Sequence, residues 1–380
     1  MASIPKAFFD KLRICKMKAN IERLQRMAAK MRVQGEFIEG VPFGTGHIND
    51  TYRLTFNDNG KICKYIFQGI NSNVFPNPPE VMENIDRVTT HLQKKIAADK
   101  SGKRRETIRL LKTEDGTPYC FDSDNNFWRA YHFVDHVNSF DVLSNPEQAY
   151  QIAKSFGEFQ CDLADLPGKR LNETIKDFHN TPKRFEQLWA AVKNNPVDRV
   201  KDVSRELDIF HSLEEECSTL AKALEAGVIP ERVTHNDTKC NNILLDEATS
   251  TGACVIDLDT VMPGLVHYDF GDMVRGGTGS TAEDEPDYTK VYMRKEMFEG
   301  LLKGYLESAK KFLTKEEIEL LPLSGKIITL EIGTRFLADY INGDIYFKTS
   351  RPAHNLDRAR VQIALAQSIG EAMPDLMKML

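Results

Sequence analysis

The run THNDTKCNNILLDEATSTGACVIDLDT, residues 234–260, constrains the fold more than any other stretch of this chain. Two short apolar segments flank a polar, glycine-containing turn, which is the pattern of a β-hairpin. Read as strands 242–246 and 253–257 with Gly252 in the turn, the hairpin pairs residue 246 with 253 and sets Asn242 opposite Asp257. An amide oxygen beside a carboxylate is a hard-cation site suited to Mg²⁺. Asp237 precedes Asn242 on the entering loop, close enough to serve the same centre, and His235 is placed to brace that loop. Asp259 is expected on the strand face of Asp257, where it could hold a second metal or a substrate hydroxyl.

The spacing H-x-D-x-x-x-x-N, followed by an Asp on a returning strand, is a phosphoryl-transfer layout. In it Asp237 accepts a hydroxyl proton, while Asn242 and Asp257 hold Mg²⁺ on a nucleotide. Polar turns and caps account for single Asp and Asn residues but not for the whole set. A literal Asp269-Phe270-Gly271 lies beyond the Pro263-Gly264 turn, too far along for the short hairpin return. The metal is therefore assigned to Asp257, and Asp269 and Asp272 to hydrogen bonds that support the catalytic loop.

The surroundings fit that layout. Residues 36–70 read as strands around turns, with Asn57-Asp58-Asn59-Gly60 a clear turn. Val81, Ile85, Val88 and Leu92 recur at helical spacing within 78–98. IRLLKTEDGTPYCF and FWRAYHFVD read as further strands, and from about residue 145 the pattern is mostly helical. The expected fold is α+β, a protein kinase-like pair of lobes with the active-site cleft between them. Its parts are a basic amphipathic helix over 1–35, a β-rich nucleotide-binding lobe over 36–136 and a helical lobe over 137–380. That helix takes its apolar face from Phe8, Phe9, Leu12, Ile21, Leu24 and Met27.

In the β-rich lobe, Gly44-Thr45-Gly46 offers backbone N–H groups to phosphates, although Asn49 stands where a third glycine of GxGxxG belongs. Kinases carry a phosphate-pairing Lys on the next strand, and here Gln68 occupies that place. Lys64 shares its face but sits roughly 13 Å away along a strand. Heavier dependence on Mg²⁺ is the expected compensation. Without that Lys, Glu83 and Asp86 of the helix have no phosphate role. Adenine is expected against the Tyr131 to Asp135 segment, with Tyr131, Phe133 and Val134 as contacts.

Composition closes off other classes. Net charge is −6, which gives no general affinity for nucleic acid. The first 32 residues carry nine Lys/Arg against two Asp/Glu, the solvated face of the helix. Nothing approaches a membrane span or a secretory signal. Seven scattered cysteines without a CxxC read as reduced, cytoplasmic thiols rather than a zinc site.

At these residues the chain resembles the aminoglycoside phosphotransferase and choline kinase family, small-molecule relatives of protein kinases. The run FGTGHINDTY at 43–52, RVTHNDTKCNNILLD, IDLDTVMPG and TRFLADYINGDIYF at 334–347 are together similar to its N-acetylhexosamine 1-kinase branch. The resemblance implies ATP-dependent phosphorylation of the anomeric hydroxyl of GlcNAc or GalNAc, with Asp237 as base and Asn242 and Asp257 as metal ligands. It implies that His47, Asn49, Arg335 and Tyr346 approach the sugar. Expected partners are the sugar and ATP, with no nucleic acid and no membrane, in a monomer or weak dimer. Two alternatives stay open. One is a kinase of the same fold acting on choline, homoserine, a methylthio-sugar or an aminoglycoside; the other is a nucleotide-binding scaffold without activity.

Overall fold

The structure, a computed structural model, describes residues 20–44 and 48–380. The described chain forms two compact units. One runs through Gln93 and resumes at Thr107–His136; the other joins Lys94–Glu106 to Val137–Leu380. Together they give a kinase-like fold, a β-sheet N-terminal lobe and a helical C-terminal part.

The first unit is built on a five-stranded antiparallel sheet of order β1-β2-β3-β5-β4. Its strands are β1 (Glu36–Pro42), β2 (Asp50–Asp58), β3 (Lys61–Gly69), β4 (Cys120–Phe121) and β5 (Phe127–His132). The β2–β3 hairpin closes at Asp58↔Lys61. Its two loop residues, Asn59 at φ 53° and Gly60 at φ 90°, supply the positive φ values that a two-residue turn of matching twist requires. On one sheet face Phe56, Phe67 and Trp128 pack with Leu24, Met27 and Met31. Leu24 and Met27 lie on a helix α1 over 20–30, so these two of its expected apolar positions are buried in the core; Phe8, Phe9 and Leu12 fall outside the described residues. Helix α2 spans Pro78–Ala98. The segment expected as a strand from Ile108 makes only an isolated bridge, Leu110↔Tyr131, before β4. The Thr113 to Thr117 turn interrupts the ladder there, with Asp115 Oδ1 accepting from the Thr117 N–H at 3.1 Å.

The second unit is helical around a small sheet. It contains α3 (Pro146–Leu163), α4 (Thr181–Asn194), α5 (Ser204–Cys217), α6 (Thr219–Glu225), α7 (Val266–Thr278), α8 (Lys295–Ala309), α9 (Lys315–Asn342) and α10 (His354–Leu376). Between α2 and β4, Glu106 donates its N–H to Ala253 O at 2.7 Å and Arg104 pairs with Asp246 at 3.0 Å. Strand β6 (Val137–Asn138) adds to β8 (Ile243–Asp246), which pairs with β9 (Gly252–Val255). Strands β7 (Arg232–Thr234) and β10 (Met262–Gly264) pair separately. Helix α9 starts with a capping box between Thr314 and Glu317. The buried Glu317 carboxylate also takes Arg232 of β7 through Nε and Nη2 at 3.0 and 2.9 Å, fixing the strand that leads into residue 235.

The β8–β9 register corrects the expected hairpin. Ile243 faces Val255 and Leu244 faces Cys254, then a bulge shifts the pairing to Leu245↔Gly252. Gly252 is thus in the strand, not the turn. The cause is at the tip, where the Asp246 carboxylate accepts the N–H groups of Ala248 and Thr249 and the Asp246 N–H reaches Thr251 O at 2.9 Å. This Asx-type turn closes the loop on Thr251, and the bulge absorbs the mismatch. Asn242 therefore ends a 3₁₀ turn, Cys240–Asn242, and is not strand-paired with Asp257.

Among the described residues no helix is long and apolar enough to cross a membrane. The six described cysteines are all free.

Candidate active site

The loop from His235 to Asn242 is held from beneath by carboxylates of α7. Asp269 accepts the backbone N–H groups of His235 and Asn236 at 2.8 and 2.6 Å and the Gln160 amide of α3 at 2.6 Å. Tyr305 of α8 in turn donates to Gln160. Burial raises the Asp269 pKa above the usual carboxylate value, against the pull of these donors. Asp272 accepts the Thr238 N–H at 3.0 Å and Arg275 Nε at 2.9 Å. Burial acts to raise its pKa, yet Arg275 and Lys239 hold it below the ordinary range.

His235 is fully buried between Phe156 and Phe159, with ring centroids 5.3 and 5.9 Å away. Its Nε2 meets the Ile256 carbonyl at 2.9 Å, and its Nδ1 receives the Asp237 N–H at 3.3 Å. One acceptor and one donor on opposite nitrogens define the neutral Nε2–H tautomer. Thus a single ring spans the gap between the residue before Asp257 and Asp237 itself.

Asn236 adopts the left-handed conformation at φ 65°, which turns the chain so that Asp237 leaves the core. The Asp237 side chain is 23% exposed, and Lys239 lies beside it at 2.8 Å. Partial desolvation works against the Lys239 ammonium, but the Asp237 carboxylate outweighs it and raises its pKa. Asn242 donates through Nδ2 to Asp237 O at 2.8 Å, which turns its Oδ1 away from that carbonyl. Its own carbonyl receives the Ile256 N–H at 2.9 Å, so the chain entering Asp257 runs alongside Asn242.

Asp257 is exposed and takes φ 59°, ending the extended run. Asp259 then falls in a 3₁₀ turn, Leu258–Thr260, and is 2% exposed. The expected common strand face for Asp257 and Asp259 is corrected accordingly: the left-handed residue turns the chain before Asp259. No group of three or more His, Cys, Asp or Glu able to hold a metal occurs among the described residues. Asn242 and Asp257, the amide and carboxylate expected to suit a hard cation, flank the Ile256 peptide, whose N–H donates to the Asn242 carbonyl at 2.9 Å.

On α9, the Arg335 guanidinium lies 5.9 Å from the Phe178 ring, 6.0 Å from Tyr346 and 5.6 Å from Phe347. Tyr346 is 68% exposed. Asp339 anchors its loop by accepting the N–H groups of Ile345, Tyr346 and Phe347 at 3.0, 2.8 and 2.9 Å. A cavity of about 300 Å³ beside the loop is lined by Phe178, His179, Asn236, Gly264 and Tyr268, and by none of the residues assigned from the sequence.

In the first unit, Gly44 takes φ 81°, with open space where a Cβ would stand. Thr45, Gly46 and His47 lie outside the described residues. Asn49 Oδ1 accepts the Asn71 N–H at 3.0 Å. Thr51, Gln68 and Arg129 form a polar row across β2, β3 and β5 in direct register. Gln68 donates to Thr51 Oγ1 at 3.1 Å and accepts from Arg129 Nε at 2.9 Å. The charge in this row is therefore the buried Arg129, one strand over from the expected Lys. Lys64 pairs with Asp135 at 2.7 Å. Tyr131 faces Ile66 in the ladder, the Phe133 N–H reaches Lys64 O at 3.0 Å, and Phe133 and Val134 are half-buried. The Phe43 ring meets Phe133 edge-on at 5.5 Å.

Sequence reasoning missed Lys239, Arg129, Gln160 and His179. Lys239 was within reach, two places from Asp237 inside the quoted loop. The others touch the site only through tertiary contacts.

Residues 39–299 match the phosphotransferase enzyme family. The chain belongs to that family. Its fold is similar to an aminoglycoside phosphotransferase from Alicyclobacillus acidocaldarius, at TM-score 0.61 and 13% identity over 94% of this chain and 96% of the other. It is similar to a choline kinase from Cryptosporidium parvum at TM-score 0.55 and 14% identity, covering 89% and 90% of the two chains. A spectinomycin phosphotransferase solved with ADP and spectinomycin matches at TM-score 0.53 and 13% identity, covering 91% and 93%. The chain is a small-molecule phosphotransferase of the aminoglycoside phosphotransferase and choline kinase type.

Proposed function

We propose that the enzyme transfers the γ-phosphoryl group of ATP to the C1 hydroxyl of an N-acetylhexosamine, GlcNAc or GalNAc, giving the α-1-phosphate and ADP. Asp237 takes the proton of the attacking hydroxyl. The ring oxygen withdraws electron density from C1, so that hydroxyl is more acidic than an ordinary alcohol and a carboxylate of ordinary basicity suffices. Transfer proceeds through a loose transition state, in which placement and charge outweigh base strength. Asn242 and Asp257 would hold Mg²⁺, which neutralises charge on the nucleotide phosphates. Lys239, paired with Asp237, places a second cation beside the reacting oxygen. Attack leaves the C1–O bond intact, so the anomeric configuration is kept. In the first unit, the sequence Gly44-Thr45-Gly46, the Gln68 row and the Tyr131 to Val134 segment are assigned to the nucleotide; His47 and Asn49 are assigned to the sugar.

The sugar reading rests on the surroundings of Arg335. Its guanidinium is ringed by Phe178, Tyr346 and Phe347, and Arg184 adds a second guanidinium whose pKa is lowered by burial and then by Arg335. Two cations disfavour an ammonium acceptor such as choline or an aminoglycoside. Five N–H donors on each Arg and exposed aromatic faces suit a neutral polyhydroxylated ring with an amide carbonyl. Arg335 sits one turn along α9 from Glu331, and His179 links Glu331 to Asn236, the residue before Asp237.

The test is ADP release with Mg-ATP and a panel of free sugars, choline, homoserine and aminoglycosides, followed by ³¹P–¹H correlation of the product. The proposal expects turnover with GlcNAc or GalNAc and phosphorus coupled to the anomeric proton. Turnover with an amine alcohol alone would replace the sugar reading. ATP binding without any acceptor-dependent ADP would favour the scaffold.

A further inference from the structure

Two histidines touch the catalytic loop, and their hydrogen bonds require different proton counts. His235 offers one donor and one acceptor. His179, from the segment before α4, has acceptors at both ring nitrogens. Its Nε2 lies 3.0 Å from the Asn236 carbonyl oxygen, and its Nδ1 lies 2.8 Å from Glu331 Oε1. A carbonyl oxygen only accepts, so Nε2 carries hydrogen. Nδ1 carries one too if Glu331 is ionised. The other Glu331 oxygen accepts Thr181 Oγ1 at 2.6 Å, as a carboxylate does. Both side chains are buried, the carboxylate completely.

We infer that His179 is an imidazolium at neutral pH, and that it acts as a positioning residue by clamping the peptide that joins Asn236 to Asp237. Asn236 is held on every other polar atom. Its N–H goes to Asp269, its Nδ2 to Thr260 O at 2.9 Å, and its Oδ1 accepts Thr234 Oγ1 at 3.0 Å. The peptide that carries its carbonyl and the Asp237 N–H is held from both sides, the N–H donating to His235 Nδ1 at 3.3 Å and the carbonyl accepting from His179 Nε2 at 3.0 Å. His179 holds the carbonyl side with a charged donor, whose bond is stronger than that of a neutral imidazole. The consequence for catalysis rests on the proposed role of Asp237 as base.

The groups facing His179 come from four elements. Glu331 approaches from α9, with Thr181 and Arg184 of α4 acting on its carboxylate, Asp272 and the Tyr268 ring (centroid 5.1 Å away) from α7, and the Asn236 carbonyl from the loop. Burial alone would lower the pKa of His179; the Glu331 charge and hydrogen bond outweigh it and raise the pKa above 6.5. A histidine raised on folding stabilises most below its unfolded pKa of 6.5, and that contribution is lost as pH climbs through the folded value. The clamp therefore releases on the alkaline side.

The test uses the full chain labelled with ¹⁵N-histidine. Long-range ¹⁵N–¹H correlation is recorded from about pH 6 to 9, a range that spans the ordinary histidine transition, and His179 is assigned from the spectra of His179→Gln and Glu331→Gln. Both ring nitrogens should keep protonated shifts at pH 7, above the ordinary histidine pKa. One unprotonated nitrogen at pH 7 would overturn the inference. This readout needs no acceptor substrate, so its failure is separate from failure of the proposed function. In Glu331→Gln the alkaline limb of kcat should move to lower pH and kcat should fall on the order of 10²-fold, with the KM for ATP unchanged, as for a misplaced catalytic group. Parallel pH profiles in the variant and the parent would also overturn it.

Discussion

Replacing Asp339 by Asn should cost stability out of proportion to its single-atom change. The carboxylate is 5% exposed and accepts four N–H groups. Oδ1 takes Ile345 and Tyr346; Oδ2 takes Phe347 and the Asn355 amide, both at 2.9 Å. An Asn keeps one oxygen for the second pair, where Asn355 is fully buried, but turns an NH₂ group toward the first, so two bonds are lost and the others lose their charge. At about 1.5–3 kcal/mol for each bond to a charged group, the two lost bonds represent roughly 3–6 kcal/mol. Ile345 and Tyr346 are 80% and 68% exposed, so freed amides of this loop regain water and the lower end applies, about 3 kcal/mol. Urea unfolding measures the total, and hydrogen exchange at residues 345–347 localises it. A loss below about 1 kcal/mol, the worth of one neutral hydrogen bond, with unchanged protection would refute the reasoning. If Tyr346 contacts the acceptor, the same variant raises the KM for sugar and leaves that for ATP alone.

Gly304→Ala places a Cβ 2.1 Å from the Tyr150 carbonyl where α8 crosses α3, and neither backbone can yield; the cost should reach about 3 kcal/mol in thermal or urea unfolding. Asn236→Ala should lose roughly 3 kcal/mol, from a left-handed backbone at φ 65° and the buried amide bonds to Thr234 and Thr260. Asn236→Gly relieves only the backbone part and should be milder by about 1 kcal/mol. Lys239→Met removes a half-exposed ammonium, so its stability should change by less than about 1 kcal/mol while kcat falls roughly tenfold in steady-state assays.

The lobe pattern was legible because it is local. The turn at Asn57 to Gly60, the apolar period of α2 and the onset of helix at Pro146 are each written within a few residues. The candidate loop was legible for the same reason, since His235, Asp237 and Asn242 lie within one short run. The hairpin register was not. It depends on the Asp246 side chain closing its own turn, which competes with simple strand alternation and wins by hydrogen bonds to Ala248 and Thr249. The clamp on Asn236 was invisible too. His179 and Glu331 are 152 residues apart, and nothing in either neighbourhood announces the other. Gln160 reads as one polar residue on a helix until Asp269 and Tyr305 are seen on either side of it. Gln68 stands in the sequence as a departure, but its hydrogen-bond partner, Arg129, is set by strand order rather than by sequence distance.

Asp237 is the proposed proton acceptor of the phosphoryl transfer. The direct measurement is kcat for Asp237→Asn with the acceptor identified by the panel, alongside the Kd for Mg-ATP. General-base assistance contributes about 10²- to 10⁴-fold, so the rate should fall by that amount while Kd stays within about twofold. A variant that turns over at near the parent rate would contradict the central claim.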